Sequence, residues 1–281
     1  MDKGLKLILF LFMLPLAVAT AASKKPISEK QMSAYLMVFH RDDTHSLYMA
    51  LSRDGYHFTA LNNAQPVISG DTIAEQRGVR DPHIYRGPDG AFYLVATDLH
   101  IYAQREGKRS TEWERDGETY GWGNNRGLVL MKSKDLINWT HTVVNINEIS
   151  PELADIGCAW APETIYDEKA GRLMIYFTMR HKNGPNKLYY VYANNDFNRI
   201  ETAPKLLFEY PDTKLSTATS VMLRASIICS MWLTTVHQVS SKLHPTVSTM
   251  VGCTTLHGAT LSLQLARLLP YGSVLAKTSG Y

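Results

Sequence analysis

The stretch LVLMKSKDLINWT, residues 128–140, carries the pattern on which the predicted fold depends. It begins as a strand with a period of two, continues into a polar turn and closes on an aromatic residue. Two further stretches, LYMALSRDGYHFT at 47–59 and LYYVYANNDFNRI at 188–200, have the same layout, except that the last one closes on isoleucine. The sequence therefore predicts one strand-and-turn unit that is repeated three times.

A second predicted strand precedes each of these stretches, in residues 35–40, 91–97 and 172–178. Helical periodicity is missing between residues 30 and 210, so an all-β fold is predicted. Units of strand, connection, strand and turn favour a radial stack of small antiparallel sheets, a β-propeller. A β-sandwich is the alternative, but it would show more even spacing and shorter loops.

Two motifs place a carboxylate beside a proline at the start of an apolar run. They are RDPHIY at residues 80–85 and WAPETIY at residues 160–166. Proline fixes its own φ and disfavours helix in the residue before it. Asp81 and Glu163 are therefore predicted to lie at strand entrances of successive sheets. Two carboxylates presented in this way are the minimum equipment for hydrolysing a glycosidic bond.

The tail from residue 213 to residue 281 is a different kind of sequence. It contains five Lys and Arg and no acid, whereas residues 23–212 have a net charge of −3. The basic balance thus comes from the tail, and the chain shows no nucleic-acid footprint. A biased natural domain, a disordered extension and a reading-frame change are the alternatives.

A change of reading frame can be tested by back-translation. Synonymous codons read two nucleotides later permit KYHMFYVAHDG and EAPTIW, which echo residues 172–184 and 161–166. We therefore expect a frame change that begins between Leu215 and Thr219. The same reasoning predicts that residues 213–281 are irregular and do not continue the repeat.

The first 22 residues have the layout of a secretory signal. Lys3 and Lys6 precede an apolar run from Leu7 to Val18, and small residues follow at 19–22. A membrane anchor is the alternative, but the run is shorter than the roughly 20 residues that span a bilayer. The mature chain is therefore expected to be secreted or periplasmic, without a membrane segment. Three cysteines at no metal spacing argue against a disulfide framework.

The motifs RDPHI at 80–84, SKDLINW at 133–139 and WAPE at 160–163 resemble those of family 43 glycoside hydrolases. More loosely, they are similar to the wider group of five-bladed propeller glycosidases. The resemblance covers roughly residues 33–212. It implies a partial propeller glycosidase domain over residues 23–212, with about three of five blades encoded.

The resemblance also implies a mechanism. Members of this family invert stereochemistry with three acids around the propeller axis. Asp81 matches the general base, and Glu163 matches a second acid that orients the site and tunes pKa values, although the family more often has Asp there. The general acid usually lies in a later Glu-small-Pro motif, which this sequence lacks after Asp212. Family substrates are mainly arabinofuranosides and xylosides of plant cell walls.

Further side chains are predicted to contact a sugar. Trp160 lies beside the second acid, and Trp122 and Asn125 lie on the long polar loop 101–125, which is either functional or disordered. His83 and His181 are candidates for bonding sugar hydroxyls, with a structural role as the alternative. No cofactor is indicated, although some family members hold calcium near the axis. The competing interpretation is an inactive propeller that binds plant oligosaccharide or polysaccharide.

Overall fold

The computed structural model describes residues 33–108, 115–209, 215–223, 226–233 and 266–268, with side chains described up to residue 209. The predicted signal at 1–22 and most of the tail lie outside these residues. Over the described ranges, no helix has the length and apolar character needed to cross a membrane.

Three four-stranded antiparallel sheets make up the body of the protein. Sheet 1 contains β1 Ala34–His40, β2 Leu47–Ser52, β3 Thr59–Ala60 and the late strand β14 Ala266–Leu268, which pairs with β1. Sheet 2 contains β4 Val79–Arg86, β5 Phe92–Asp98, β6 Gly127–Ser133 and β7 Trp139–Asn145. Sheet 3 contains β8 Ile156–Asp167, β9 Arg172–His181, β10 Lys187–Ala193 and β11 Lys205–Phe208.

The helical segments are short and lie in the connections. The α-helices are α1 Gly70–Ile73 and α2 Gly117–Tyr120. Single 3₁₀ turns span Asn62–Ala64, Ile146–Glu148 and Pro151–Leu153. The six strands predicted from the repeated pattern are all confirmed.

The order of the strands confirms the propeller type. Sheets 2 and 3 are meanders in which neighbours in space are neighbours in sequence. Their first strands, β4 and β8, lie against each other, and β1 lies against β4. Small meanders that meet through their inner strands are the blades of a propeller rather than the halves of a sandwich. The described sheets form three blades, and a total of five stays a prediction.

Sheet 2 is buried on both faces. In β5, Val95 packs into a cluster shared with sheet 3, whereas Leu94 packs into a cluster shared with sheet 1. Leu130 and Met131 of β6 divide in the same way. Because successive side chains of a strand point to opposite faces, burial of both faces requires a continuous apolar run. The period of two between apolar and other residues, which was expected at the start of residues 128–140, is therefore absent from Leu128 to Met131.

The repeated turns of sheets 1 and 2 have one hydrogen-bond pattern. Ser52 Oγ accepts from two backbone N–H groups, and Asp54 Oδ1 accepts from the next two. Ser133 and Asp135 repeat this pattern, and the four distances are 3.2, 2.8, 2.9 and 2.8 Å in both turns. Backbone N–H donors hold the pKa of both aspartates well below its ordinary value. The layout that these two turns share therefore stabilises the turns themselves.

The inner strands β4 and β8 each bulge at the residue before a proline. Their register against the neighbouring strand shifts over residues 80–83 and over residues 160–163. Asp81 and Ala161, which precede the prolines, have left-handed φ values of 48° and 44°. Proline has no N–H to pair with the neighbouring strand, and a bulge re-aims the side chains next to it.

The backbone of the tail is a correction to the sequence analysis. Residues 213–281 were expected to be irregular, but Leu215–Leu223 (β12) and Ser226–Leu233 (β13) form an antiparallel pair, and β12 lies beside β8 and β9. These segments are rich in β-branched residues, which favour extended backbone even where the repeat is lost. The rest of the tail, apart from β14, lies outside the described residues.

Candidate active site

The Asp81 carboxylate lies at the mouth, meaning the end of the sheets at which β4 and β8 begin. Its backbone N–H donates to His40 Nδ1 of sheet 1 at 3.0 Å. Thr97 Oγ1 of β5 donates to Asp81 Oδ2 at 3.3 Å and accepts from the Ala161 N–H of β8 at 2.9 Å. Asp81 is thereby fixed by all three sheets. No hydrogen bond to its Oδ1 occurs within the described part of the chain.

An ion pair holds the backbone beside Asp81. Arg80 Nη1 donates to Asp42 Oδ1 at 2.6 Å, and His40 Nε2 lies 3.5 Å from the same oxygen. His40 and Arg80 keep the pKa of Asp42 well below its ordinary value. The Asp42 carboxylate therefore stays charged over the neutral and mildly acidic range. It keeps Arg80 and His40, which both adjoin Asp81, in place.

Glu163 lies deeper than Asp81, and its predicted place at a strand entrance is wrong. It is the eighth residue of β8 and is buried. Ala161, not Glu163, occupies the position equivalent to Asp81, because both precede the bulge proline. Strand β8 begins well before the bulge, since the segment from Ile156 onward pairs with β9. Two strand residues place Glu163 roughly 7 Å further along the strand.

The Glu163 carboxylate is enclosed by two polar side chains. Tyr176 Oη donates to Glu163 Oε2, and His83 Nε2 lies 3.8 Å from the same oxygen. His83 Nδ1 accepts from the Thr164 N–H at 3.3 Å, which leaves the Nε2 proton to face the carboxylate. His83 is buried. His83 thus contacts Glu163 in the structure, and a contact between His83 and a sugar stays a prediction.

Trp160 and Trp122 form an aromatic pair on the rim of the mouth. Their ring centroids are 6.1 Å apart at an interplanar angle of 64°. Trp160 Nε1 donates to the Gly123 carbonyl at 2.9 Å, and the Arg180 guanidinium lies 4.4 Å from the Trp160 ring. Trp160 is half-buried, whereas Trp122 is 69% exposed. The two tryptophans predicted to contact a sugar therefore lie together, and Trp122 is the accessible one.

Asn125 joins sheets 2 and 3 from a buried position. Its Nδ2 donates to the carbonyls of Ala159 at 2.9 Å and Gly127 at 3.0 Å, with a longer bond to Asp98. Its Oδ1 accepts from the Ala159 N–H at 2.8 Å. Contact with a sugar would break these bonds, so we assign Asn125 a positioning role in place of the predicted substrate contact.

His181 lies at the end of β9 and is not brought together with either acid. Its Nδ1 is 2.7 Å from Asp155 Oδ1, and its side chain is 46% exposed. The bond from His181 lowers the pKa of Asp155. A contact between His181 and a sugar stays a prediction.

Two buried imidazoles, of His45 and His100, lie next to Arg80. His45 and His100 stack with ring centroids 3.9 Å apart and planes within 9°. His45 Nε2 accepts from the Ile101 N–H at 3.3 Å and faces Arg80 at 3.4 Å. Burial, together with the nearby His100 and Arg80, lowers the pKa of His45 from 6.5 to about 3. His45 is therefore neutral in the folded protein at neutral pH.

We expect the buried His45 to make the fold sensitive to acid. The folded state disfavours its protonation, whereas the unfolded chain protonates it near pH 6.5. Its stabilisation is complete above pH 6.5 and is lost as the pH falls from 6.5 towards 3. Urea unfolding at pH 7.0 and pH 4.5 measures the loss, and the variant His45→Gln should lose less between the two pH values. An equal loss in both proteins would show that other groups cause the acid sensitivity.

The sequence analysis missed four side chains of this site: His40, Thr97, Tyr176 and Arg180. Three of them, His40, Thr97 and Arg180, lie at or next to the last residue of the strands β1, β5 and β9. A polar residue that ends an apolar strand was the available signal, because these strands run towards the mouth. Tyr176 had no such signal, since it reads as one more apolar residue within β9.

Residues 33–108 and 115–209 contain no group of three or more His, Cys, Asp or Glu side chains that is arranged to hold a metal ion.

Three known proteins illustrate what this chain is similar to. Among curated proteins, an alpha-L-arabinofuranosidase of Bifidobacterium longum subsp. longum is 30% identical over 129 residues, which are 45% of this chain and 11% of that protein. Among solved structures, an alpha-L-arabinofuranosidase from Lactobacillus brevis has a TM-score of 0.39 at 19% identity, covering 61% of this chain and 47% of that one. A family 43 protein from Bacillus licheniformis has a TM-score of 0.43 at 15% identity, covering 69% and 33%.

The chain spans less than half the length of each of these relatives. A family model for a probable glycosyl hydrolase domain, related to glycoside hydrolase family 43, matches residues 30–229. The match takes in all three described sheets except β14 and ends ten residues beyond Thr219, the latest onset expected for the frame change. Because the match covers most of the chain, this protein belongs to the glycosyl hydrolase family related to family 43.

Proposed function

We propose that this chain carries the frame of an inverting glycoside hydrolase for arabinofuranosides or xylosides of plant cell walls. The observation that carries the proposal is the Asp81 carboxylate, fixed at the mouth through Oδ2 and its own N–H. Family membership supports the hydrolase class. The name of the Bifidobacterium relative, an arabinofuranosidase, supports the arabinoside. A secreted or periplasmic location would bring such a chain to its substrate.

Asp81 is the general base in this proposal. Its Oδ1 takes a proton from a water molecule that attacks the anomeric carbon, while Thr97 holds Oδ2 in place. Inversion requires the base and the acid to be roughly 6.5–9.5 Å apart, so that the water fits between base and sugar. Carboxylates supplied by different blades around one axis suit such a separation.

Glu163 acts through its charge in this proposal. It is buried, and Tyr176 and His83 surround its carboxylate. A buried negative charge favours the protonated form of an acid placed nearby. Glu163 is therefore a positioning and electrostatic residue and not the group that protonates the leaving oxygen.

The general acid is the missing part. The sequence has no Asp or Glu after Asp212, and the EAP motif occurs only in the other reading frame. We propose that the chain as written is inactive on natural glycosides, because a sugar alkoxide that is not protonated is a poor leaving group. The second candidate function, an inactive carbohydrate-binding propeller, is favoured by the exposed Trp122 on the rim.

Assays of two proteins separate these functions. One is the 281-residue chain, and the other is a chain whose reading frame is restored between codons 215 and 219, called the frame-restored chain. With arabino- and xylo-oligosaccharides, whose leaving group is a sugar alkoxide that needs protonation, we expect turnover by the frame-restored chain and none by the 281-residue chain. Turnover by the 281-residue chain that is lost in Asp81→Asn would show that another group serves as the acid. If neither protein binds or hydrolyses these sugars, the proposed function is wrong.

A further inference from the structure

The part of the long loop that follows residue 114 is held by its own side chains. Asn124 Nδ2 donates to the carbonyls of Arg115 and Gly121, both at 3.1 Å. Arg115 Nη2 donates to the Asn125 carbonyl at 3.3 Å, and its guanidinium lies 4.1 Å from the Tyr120 ring. Asn125 is anchored between sheets 2 and 3, so hydrogen bonds hold residues 115–125 in a defined conformation.

Arg180 of β9 holds the same segment from the other side. Its Nη2 donates to the carbonyls of Tyr120 at 2.9 Å and Trp122 at 3.0 Å. Its Nε adds a longer bond to Tyr120, and its Nη1 donates to Asn186 Oδ1 at 3.3 Å. The guanidinium also covers one side of Trp160 at 4.4 Å. This fork of donors is specific to arginine, because a lysine ammonium cannot reach the same set of acceptors in one plane.

Trp122 is an exposed aromatic side chain of this fixed segment. Its exposure is 69%, although Tyr120 and Gly123 on either side of it accept hydrogen bonds from Arg180 and Trp160. It contacts Trp160, and Trp160 precedes Ala161, whose N–H bonds to the threonine that holds Asp81. Trp122 is therefore connected to the Asp81 position through Trp160 and Thr97.

We propose that Trp122 binds a second sugar ring of an oligosaccharide whose reacting ring lies at Asp81, and that Arg180 positions Trp122 for this contact. The inference rests on the proposed function and adds a preference for chains over single sugars. An indole ring stacks on the apolar face of a neutral sugar. The Arg180 donors are used by protein acceptors, so a neutral pentose chain fits this place better than an acidic sugar. The segment is already ordered, and little entropy is lost on binding.

Calorimetric binding to the 281-residue chain tests the inference without need for turnover. The probes are xylose, arabinose and their oligosaccharides of two to four units. We expect the disaccharide to bind about five- to tenfold more tightly than the monosaccharide, the scale of one aromatic contact. In Trp122→Ala this gain should disappear while monosaccharide affinity stays. Tyr56→Ala, which removes an aromatic side chain 87% exposed on a turn of sheet 1, is the matched control and should keep the gain.

Two further variants test the role of Arg180. Arg180→Lys keeps the charge but loses the fork, and it should lose the gain although Trp122 is present. Gly121→Ala disturbs the segment independently, because a Cβ at Gly121 would lie 2.6 Å from Asn183 Oδ1 and 2.7 Å from Arg180 Nη2. Combining Arg180→Lys with Trp122→Ala should give no further loss, since both changes remove one contact. Thermal melting establishes whether each variant is folded. If Arg180→Lys does not fold, Gly121→Ala tests whether the position of the segment matters.

The outcomes separate the inference from the proposed function. Equal affinity for monosaccharides and oligosaccharides in the unchanged chain would overturn the inference and leave the proposed function standing. A length-dependent gain that survives in Trp122→Ala would overturn the role of Trp122. A gain that survives in both Arg180→Lys and Gly121→Ala would overturn the positioning role of Arg180. If no sugar binds at all, the proposed function fails together with the inference.

Discussion

Replacing Asp81 by asparagine in the frame-restored chain is expected to lower turnover about 10²–10⁴-fold, the usual contribution of a general base. The amide keeps the shape of the side chain, and its oxygen still accepts from Thr97. It cannot take a proton from water, so the chemical step slows while the sugar still binds. Steady-state kinetics on an aryl arabinofuranoside or xyloside should show the loss in kcat, with KM nearly unchanged.

The matched control for this change is Asp43→Asn. Asp43 is an exposed aspartate three residues from His40, and its carboxylate pairs with Arg41 rather than with the site. Surface ion pairs of this kind contribute little, so both kcat and KM should stay as they are. Full turnover in Asp81→Asn would remove Asp81 from the role of base. A rise in KM with kcat unchanged would make Asp81 a residue for sugar binding.

The second large effect is on stability. Asn125→Ala is expected to lower the free energy of unfolding by about 2–4 kcal/mol. The change leaves the N–H and the carbonyl of Ala159 without the partners that they have between the two sheets. Both groups are buried, and an unsatisfied buried polar group is more costly than the loss of an exposed bond. Urea unfolding at pH 7 measures the difference.

Asn195→Ala is the control for Asn125. Asn195 is exposed, and the bond recorded for it uses its backbone carbonyl, which accepts from Lys132. Its substitution should change the unfolding free energy by less than about 0.5 kcal/mol. Should Asn125→Ala instead weaken sugar binding without loss of stability, the substrate contact predicted from the sequence would be right and the positioning role wrong.

The blades were predictable because their signals are local. A strand, a polar turn and a closing aromatic residue are written within 13 residues, and the turns at Ser52 and Ser133 use bonds within that span. The tail shows where this reasoning ends. Loss of the repeated pattern suggested irregular backbone, yet residues 215–233 contain a strand pair, since extended backbone needs only suitable residues and not the repeat. The frame change itself stays a prediction.

The two candidate acids were visible in the sequence, but the depth at which each one lies was not. Asp81 and Glu163 look equivalent in sequence, because each stands beside a proline. The bulges show that they are not, since Asp81 precedes its proline and Glu163 follows one. The residue before the proline faces the mouth, whereas the residue after it points towards Tyr176 and the interior. The partners that fix each acid come from other blades, so no local pattern contains them.

The stereochemistry of the product tests the central claim most directly. Proton NMR during hydrolysis of an arabinofuranoside or xyloside by the frame-restored chain reports the anomer that forms first. We predict the inverted anomer, formed by one displacement by a water molecule that Asp81 activates, and no product from Asp81→Asn within the same time. A first product with retained configuration, or an unchanged rate in Asp81→Asn, would contradict the account.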